Sequence, residues 1–288
     1  MKKKTILILG ASGFLGGYVC SNFYKSNYYV IKQSRKIKKN FFKINLNDKI
    51  ETEKKLQLIK PDFILNLSGL TNIEECENNY KLAYNSNVII IKNIQKYIKN
   101  NKKCHLLHIS TDQVYSGKGP HKEKKVKPVN NYALTKYLGE LEALKTNATI
   151  LRTNFVGKSL NLKKSLTDWF INSCKTNKRI SLFKDVLFSP LEINGLSKII
   201  LQIIKKRKSG IYNLGSKNGI SKSRFLRRIA KKLNLDTKNL KDINLNKVKK
   251  IVQRPKDMRL NVNLFEKTFK IKLPKINEVI DKVCSGYK

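Results

Sequence analysis

Acidic residues are scarce in this sequence. Its 288 residues hold 20 Asp and Glu against 61 Lys and Arg, a formal charge of +41. That balance disfavours cationic partners and favours anionic ones, whether nucleotides, nucleic acid or a membrane surface. The lysines run through nearly every segment beside abundant Asn and Ile, which is the pattern of a compositional bias. A nucleic-acid surface is more often a local patch with arginines and exposed aromatics, so nucleic acid is not expected as a partner. Cysteine and histidine are also few. Cys20, Cys76, Cys104, Cys174 and Cys284 are odd in number and scattered, and none has a Cys or His partner at metal-ligand spacing. Neither a disulfide framework nor a metal site is expected, and the thiols read as reduced core residues of a cytoplasmic protein.

Long apolar runs are missing as well, and none approaches the roughly 18 to 20 residues of a membrane span. The opening MKKKTILILGASGFLGGYVC superficially resembles a secretion signal. Its run TILIL is shorter than the about 7 to 15 residues of a signal core, glycines interrupt the stretch after it, and bulky Val19 precedes the cysteine. The expectation is a soluble protein without a membrane span. With 6 Pro and 14 Gly, no linker rich in either divides the chain, and no internal repeat is present.

What remains is an alternation. Strand-like blocks at 5–9, 28–32, 62–67, 104–109 and 148–151 are separated by helical segments at 14–25, 50–59, 80–99 and 132–146. Strand and helix in alternation predict an α/β fold, a Rossmann-like doubly wound parallel sheet covered on both faces. After about residue 152 the order loosens into helices near 163–176, 192–206 and 221–233, short strands near 180–183 and 211–214, and a last helix near 276–284. The expected division is a dinucleotide-binding domain over 1–152 and a smaller mixed α/β, mainly substrate-binding domain over 153–288, with the chain crossing back to the first. The cleft between them is the default site.

Directly after the first strand stands GASGFLGG, with Gly10, Gly13 and Gly16 in a G-x-x-G-x-x-G spacing that opens a helix. Glycines allow a tight turn and close approach of backbone to a pyrophosphate, which then rests on the helix N-terminus. The acidic residue that an NAD site usually carries about 20 residues on is absent. Ser34, Arg35 and Lys36 stand there instead, a set suited to a 2′-phosphate, so NADPH is expected, with NADH as the alternative.

Among 12 tyrosines and 52 lysines, chance supplies roughly two Tyr-x-x-x-Lys pairs. There are two, Tyr28 to Lys32 and Tyr132 to Lys136. Tyr28 falls in the second strand, away from the carboxyl ends where doubly wound sheets keep their sites. Tyr132 and Lys136 fall on a helix, on one stripe with the small residues Gly139 and Ala143. Ala133, Leu134, Tyr137, Leu138, Leu141 and Leu144 gather on the opposite stripe. The small residues would let another element lie close. Upstream, CHLLHISTDQVY places Ser110, Thr111 and Asp112 at the carboxyl end of a strand, where a hydroxyl reaches a carbonyl oxygen; Ser and Thr there are otherwise turn or cap residues.

These stretches resemble the extended short-chain dehydrogenase/reductases, and within them the dTDP-4-dehydrorhamnose reductase group. GASGFLG is similar to that family's dinucleotide loop, PDFILNLSGLTNIEECE to its fourth strand and loop, STDQVY and YALTK to its catalytic elements, and LRTNFVG and RPKDMRL to later stretches. The resemblance implies NADPH-dependent reduction of a 4-keto-6-deoxy nucleotide-sugar in surface polysaccharide biosynthesis, with Thr111, Tyr132 and Lys136 catalytic. It implies a cofactor site of Gly10, Ser12, Gly13, Phe14, Leu15, Gly16, Ser34, Arg35, Leu46, Leu67, Ser68, Gly69, Asn87 and Ser110, with Asn66 at its edge. Thr71, Asp112, Gln113 and Arg254 would contact the substrate, and a homodimer is one assembly open to the chain. Gln113 stands where these reductases commonly have Tyr, Met258 where they have Ser, and Asn45 where many relatives place an acid near the adenine. FKDVLFSPLEI keeps only Asp185 and Pro190 of the Asp-Gln-x-Gly-x-Pro-Thr element. The alternatives are an epimerase or dehydratase on the same scaffold, and a non-catalytic dinucleotide-binding regulatory subunit.

Overall fold

The computed structural model describes residues 3–35, 39–160, 165–248 and 251–288. Lys36, one of the three expected phosphate-site residues, lies outside them. Six strands lie within residues 4–153: β1 (Lys4–Leu9), β2 (Tyr28–Ser34), β3 (Phe42–Lys43), β4 (Phe63–Asn66), β5 (His105–Thr111) and β6 (Ala148–Thr153). With the later strand Gly210–Leu214 they form a seven-stranded sheet in the order Gly210–Leu214, β6, β5, β4, β1, β2, β3. Every pairing is parallel. Ile6 to Leu9 of β1 are fully buried, as expected of a strand covered on both faces. Burying each such side chain contributes roughly 1.5–3 kcal/mol.

One face of the sheet carries α1 (Phe14–Tyr24), α8 (Ile193–Ile204) and α10 (Asn263–Phe269), whose side chains share a core with Ile6, Ile8, Leu107 and Leu151. The other face carries α2 (Lys49–Ile59) and α5 (Ile90–Asn100) over Leu7, Leu9, Leu106 and Ile150. Asp48 caps α2 by accepting from the Glu51 amide at 2.8 Å. A separate core joins α7 (Leu166–Lys175), α9 (Lys222–Lys232) and α11 (Ile276–Ser285).

Two departures from the periodicity matter for the site. The single helix expected over 80–99 is α4 (Tyr80–Tyr84), a π-helical turn at Asn85–Ile89, then α5. Such a bulge widens the helix locally, and here Asn87 lies in it. Second, α6 (Asn131–Ala143) buries Tyr132, Thr135, Lys136, Gly139, Glu140 and Ala143. Of the apolar stripe only Ala133 is buried, whereas Leu134, Leu141 and Leu144 are 37, 39 and 42 % exposed. Gly139 explains the facing: a Cβ there would collide with the Asn87 carbonyl oxygen. Helix α3 (Ile73–Asn78) and the paired strands Ile180–Phe183 and Leu240–Ile243 complete the surroundings. Of these, α3 and Leu240–Ile243 left no clear periodic signal.

Candidate active site

The strand ends β1, β4, β5 and β6 converge on a cavity of about 530 Å³, lined by Gly10, Gly13, Phe14, Leu15, Gly16, Leu67, Ser68, Gly69, Thr71, Ser110, Thr111, Asp112, Gln113, Tyr132 and Lys136. An adjoining cavity of about 300 Å³ runs along Gly10, Ser12, Gly13, Ser34, Arg35, Leu46, Leu67, Ser68 and Gly69. Together they gather the expected site residues among those described, except Asn66, Asn87 and Arg254.

The loop after β1 is built for close approach. Gly10 has φ +72°, and a Cβ on it would meet the Ser68 amide nitrogen at 2.8 Å. A Cβ on Gly16 would stand 2.5 Å from the Ala11 carbonyl oxygen. Gly13 caps α1 with extended backbone and no side chain in the way. Buried Gln33, at the end of β2, holds the loop: its Oε1 accepts from the Gly10 amide at 3.1 Å and its Nε2 donates to the Ile44 carbonyl at 2.8 Å. The residues fit a dinucleotide, with bare backbone at a helix N-terminus and exposed Arg35 at the end of β2. Asn45 lines neither cavity. Its amide donates to Glu51 and its side chain accepts from Asn47, in the turn before α2.

Tyr132 lies at the start of α6, fixed by Asn130, whose Oδ1 accepts from the Ala133 amide at 2.8 Å. Its phenol lies near the Thr111 hydroxyl. Burial pushes the phenol up to about 12, the Thr111 hydroxyl opposes this, and Asp112 and Cys76 add to it. Lys136 sits one turn on, and burial lowers its ammonium to about 8 against the pull of Glu140. The Lys136 Nζ donates to the Ile109 carbonyl at 2.8 Å. Lys136 is not among the groups that move the phenol, and desolvation dominates. A phenol kept protonated is nonetheless the form a proton donor needs.

Thr111 Oγ1 caps the short turn that follows β5, accepting from the Gln113 amide at 3.2 Å. Asp112 is buried and held by Asn154, whose Nδ2 donates to Oδ2 at 2.9 Å; burial raises it to about 6. Gln113 lines the cavity with a buried Oε1 that has no partner among the described residues. The Ser110 hydroxyl donates to Glu140 Oε1. Glu140 in turn takes Arg152, at 3.0 Å from Nε and 2.5 Å from Nη2.

Asn87 stands behind the wall rather than in it. Its Oδ1 accepts from the Leu70 amide at 2.9 Å, and its Nδ2 donates to the Leu70 carbonyl and to Thr135 Oγ1. Asn66 Oδ1 accepts from the Ser68 amide, and its Nδ2 bonds His108 Nδ1 at 3.1 Å. Arg254 pairs with Glu74 and lines a different cavity, bounded by Ser116, Leu245 and Lys256. Met258 is buried in core, and Asp185 accepts from the Leu245 amide beside Lys256, both structural roles. Thr153, Asn154, Phe155, Ser165 and Leu166 also line the catalytic cavity. The stretch LRTNFVG carried part of that signal, and nothing in the sequence marked Ser165 or Leu166.

Among the described residues no group of three or more His, Cys, Asp or Glu could hold a metal ion, and no helix is long and apolar enough to cross a membrane. Residues 3–288 match the family described as RmlD substrate binding domain. The spore coat polysaccharide biosynthesis protein SpsK of Bacillus subtilis is 25% identical over 244 residues, 81% of this chain and 80% of that protein. Mouse methionine adenosyltransferase 2 subunit beta is 26% identical over 275 residues, 91% and 82% of the two chains. A crystal structure of dTDP-4-dehydrorhamnose reductase from Bacillus anthracis in complex with NADP has 22% identity and a TM-score of 0.89, covering 98% of this chain and 99% of that one.

Proposed function

The chain belongs to the RmlD substrate binding domain family, and from that premise we propose that it is an NADPH-dependent reductase of a 4-keto-6-deoxy nucleotide-sugar, acting in the cytoplasm in polysaccharide biosynthesis. The observation that carries this reading is the meeting of Thr111, Tyr132 and Lys136 with the glycine loop in one cavity. The likeness to a reductase solved with NADP supports the cofactor, and SpsK supports the pathway. In this reading residues 1–152 bind the dinucleotide and 153–288 mainly the nucleotide-sugar.

NADPH, when bound, supplies the hydride that reduces the sugar ketone. Gly10, Gly13 and Gly16 would let the backbone at the start of α1 approach its pyrophosphate closely, and Arg35 would face the 2′-phosphate. Thr111 hydrogen-bonds the carbonyl oxygen as negative charge grows there. Tyr132 donates its phenolic proton to that oxygen, and the ammonium of Lys136 compensates the phenolate left in a desolvated site. Asn87 and Thr135 hold the Leu70 loop against α6, which keeps the Lys136 stem in place.

Tyr132→Phe is the direct test, with NADPH and a panel of dTDP-, UDP- and GDP-linked 4-keto sugars while nicotinamide absorbance is followed. Wild type oxidises NADPH stoichiometrically with one of them, and the variant loses on the order of a hundredfold or more in turnover. Survival of turnover in the variant within about twofold contradicts the assignment. Conversion of a nucleotide-sugar without net oxidation would identify an epimerase or dehydratase instead. NADPH binding without turnover of any sugar would point to a non-catalytic dinucleotide-binding subunit instead; one relative is named as a subunit, methionine adenosyltransferase 2 subunit beta.

A further inference from the structure

Behind one wall of the catalytic cavity lies a cluster of polar side chains with no part in the proposed reaction. Phe155, Ser165 and Leu166 belong to that wall. Phe155–Val156 is held by parallel pairing with Leu191–Glu192, whereas Ser165 and Leu166, at the start of α7, are held by Asp168. The Asp168 Oδ2 accepts from the Ser165 amide at 2.9 Å and from the Ser159 amide at 3.0 Å. Ser165 Oγ in turn accepts from the Asp168 amide at 3.0 Å and donates to the Gly157 carbonyl at 2.6 Å. One carboxylate oxygen thus gathers Ser159 and Ser165.

The other oxygen, Oδ1, is taken by Tyr287, two residues past α11, whose phenol donates to it at 2.6 Å. Buried Thr167 places its Oγ1 2.8 Å from the same phenol and 2.9 Å from the Gly157 carbonyl. The Lys158 ammonium stands 5.9 Å from the centroid of the Tyr287 ring, and the Lys158 carbonyl accepts from Tyr18 of α1 at 2.9 Å. The wall is therefore gripped from the glycine-loop helix on one side and by Tyr287 on the other. A hydroxyl on a carboxylate makes a charge-assisted bond, shorter and stronger than a neutral one. Burial raises the Asp168 carboxyl, but the bonds from Tyr287, Ser165 and Ser159 outweigh it and hold the group below its ordinary value. A helix cap does not need the phenol, since Ser165 and Asp168 already form a complete capping box. Nor does the anchoring of α7, which Phe170, Ile171 and Cys174 supply from the second core. What the Tyr287 bond adds is the lateral position of the cap, and with it that of the wall.

We propose that Tyr287 is a positioning residue: acting through Asp168 from outside the cavity, it fixes Ser165 and Leu166 as the wall against which the substrate's sugar is placed. This rests on the nucleotide-sugar reading above and adds to it a residue that sets the shape of the pocket without entering it.

Tyr287→Phe keeps the ring and removes only the phenolic oxygen, and Asp168→Ala removes its acceptor. Trp169, the single tryptophan, follows Asp168 and is 40 % exposed, so acrylamide quenching of its fluorescence reports on that turn without any turnover. In Tyr287→Phe the KM for the keto-sugar should rise about fivefold or more, with kcat and NADPH affinity within about twofold of wild type. Quenching should rise about 1.5-fold or more as the turn loosens. On the Asp168→Ala background, Tyr287→Phe should change KM by less than about twofold, since both substitutions cut one bond. A Tyr287→Phe protein that melts earlier but keeps KM and quenching overturns the proposal, as does an additive rise in KM in the double variant. Raised quenching with an unchanged KM removes the role in placing the sugar and leaves the reductase reading standing. If wild type reduces no keto-sugar, the reductase reading falls, and unchanged quenching in Tyr287→Phe would then overturn the grip on the wall by itself.

Discussion

Replacing Lys136 by methionine should make the protein more stable while disabling it. The Lys136 side chain is 5 % exposed, and burial lowers its pKa from 10.5 to about 8. At about 1.4 kcal/mol per unit, holding that ammonium protonated at pH 7 costs about 3 kcal/mol of folding free energy. Methionine keeps the length of the stem and removes the charge, but gives up the 2.8 Å bond to the Ile109 carbonyl, a loss on the order of 1 kcal/mol. The expected net gain is about 1 to 3 kcal/mol, or a few degrees in Tm. The pH dependence comes from the direction of the shift. Below pH 8 both folded and unfolded states are protonated and the full penalty stands; between about 8 and 10.5 the folded state sheds its proton first and the penalty is relieved. The advantage of Lys136→Met is therefore largest at neutral pH and fades toward pH 10. Urea unfolding at pH 7 and pH 10 measures it, beside NADPH oxidation, which should fall about a hundredfold or more. A variant less stable than wild type at pH 7, or an advantage unchanged at pH 10, refutes the reasoning.

Glu140→Gln leaves the Arg152 guanidinium buried without its counter-charge, where the pair is 1 and 0 % exposed; unfolding free energy should drop roughly 3–5 kcal/mol in urea titrations, with Glu140→Leu plus Arg152→Met losing far less. Gly16→Ala puts a methyl 2.5 Å from the Ala11 carbonyl, and NADPH affinity by fluorescence titration should weaken about tenfold or more as α1 is displaced. Arg35→Ala should raise the KM for NADPH about tenfold and leave that for NADH within about twofold, if Arg35 meets a 2′-phosphate. The rate of reduction should fall as pH rises through about 8, where Lys136 loses its proton, and Lys136→Arg should carry that limb beyond about pH 10 in a pH–rate profile.

The large sheet was legible because its physics is local. Ile6 to Leu9 and Phe63 to Leu65 are short apolar runs, and Leu106 to Ile109 is apolar apart from His108, all buried or nearly so; each is followed by a helical segment, so period and order alone give a parallel sheet. Gly10 was legible because a turn with positive φ leaves few other residues possible. The two-residue strands Leu187–Phe188, Ile220–Ser221 and Asp257–Met258 were not, since two residues carry no period. One of them, Asp257–Met258, nonetheless anchors the chain just past Arg254. Arg254 was read from a motif as a contact with the substrate, and the fold sets it beside Glu74 in the wall of a second cavity. Gln33 was missed for a related reason: its hydrogen bonds to Gly10 and Ile44 join positions 23 and 11 residues apart, and pairing at that range is invisible without the sheet.

Helix α6 shows why amphipathic reasoning misplaces catalytic helices. A helix packs inward on whichever face can be satisfied there, and apolar residues satisfy most interiors. Here the interior is a site, and it supplies partners for polar groups: the Ile109 carbonyl for Lys136, Asn87 for Thr135, and Ser110 with Arg152 for Glu140. Once those are paired, burying them costs less than leaving them buried alone, and Leu134, Leu141 and Leu144 are left on the outside. What decided the facing was steric. Gly139 is the residue on α6 where another backbone, that of Asn87, comes too close for any Cβ, and the same contact keeps the π-helical turn against the lysine. A Tyr-x-x-x-Lys pair on a helix gains meaning from a small residue one turn beyond the lysine, because that residue shows which side the neighbouring backbone occupies. Tyr28 begins β2, packed between Phe23 and Phe63 at the far end of the sheet, and has no such neighbour to turn its spacing into a site.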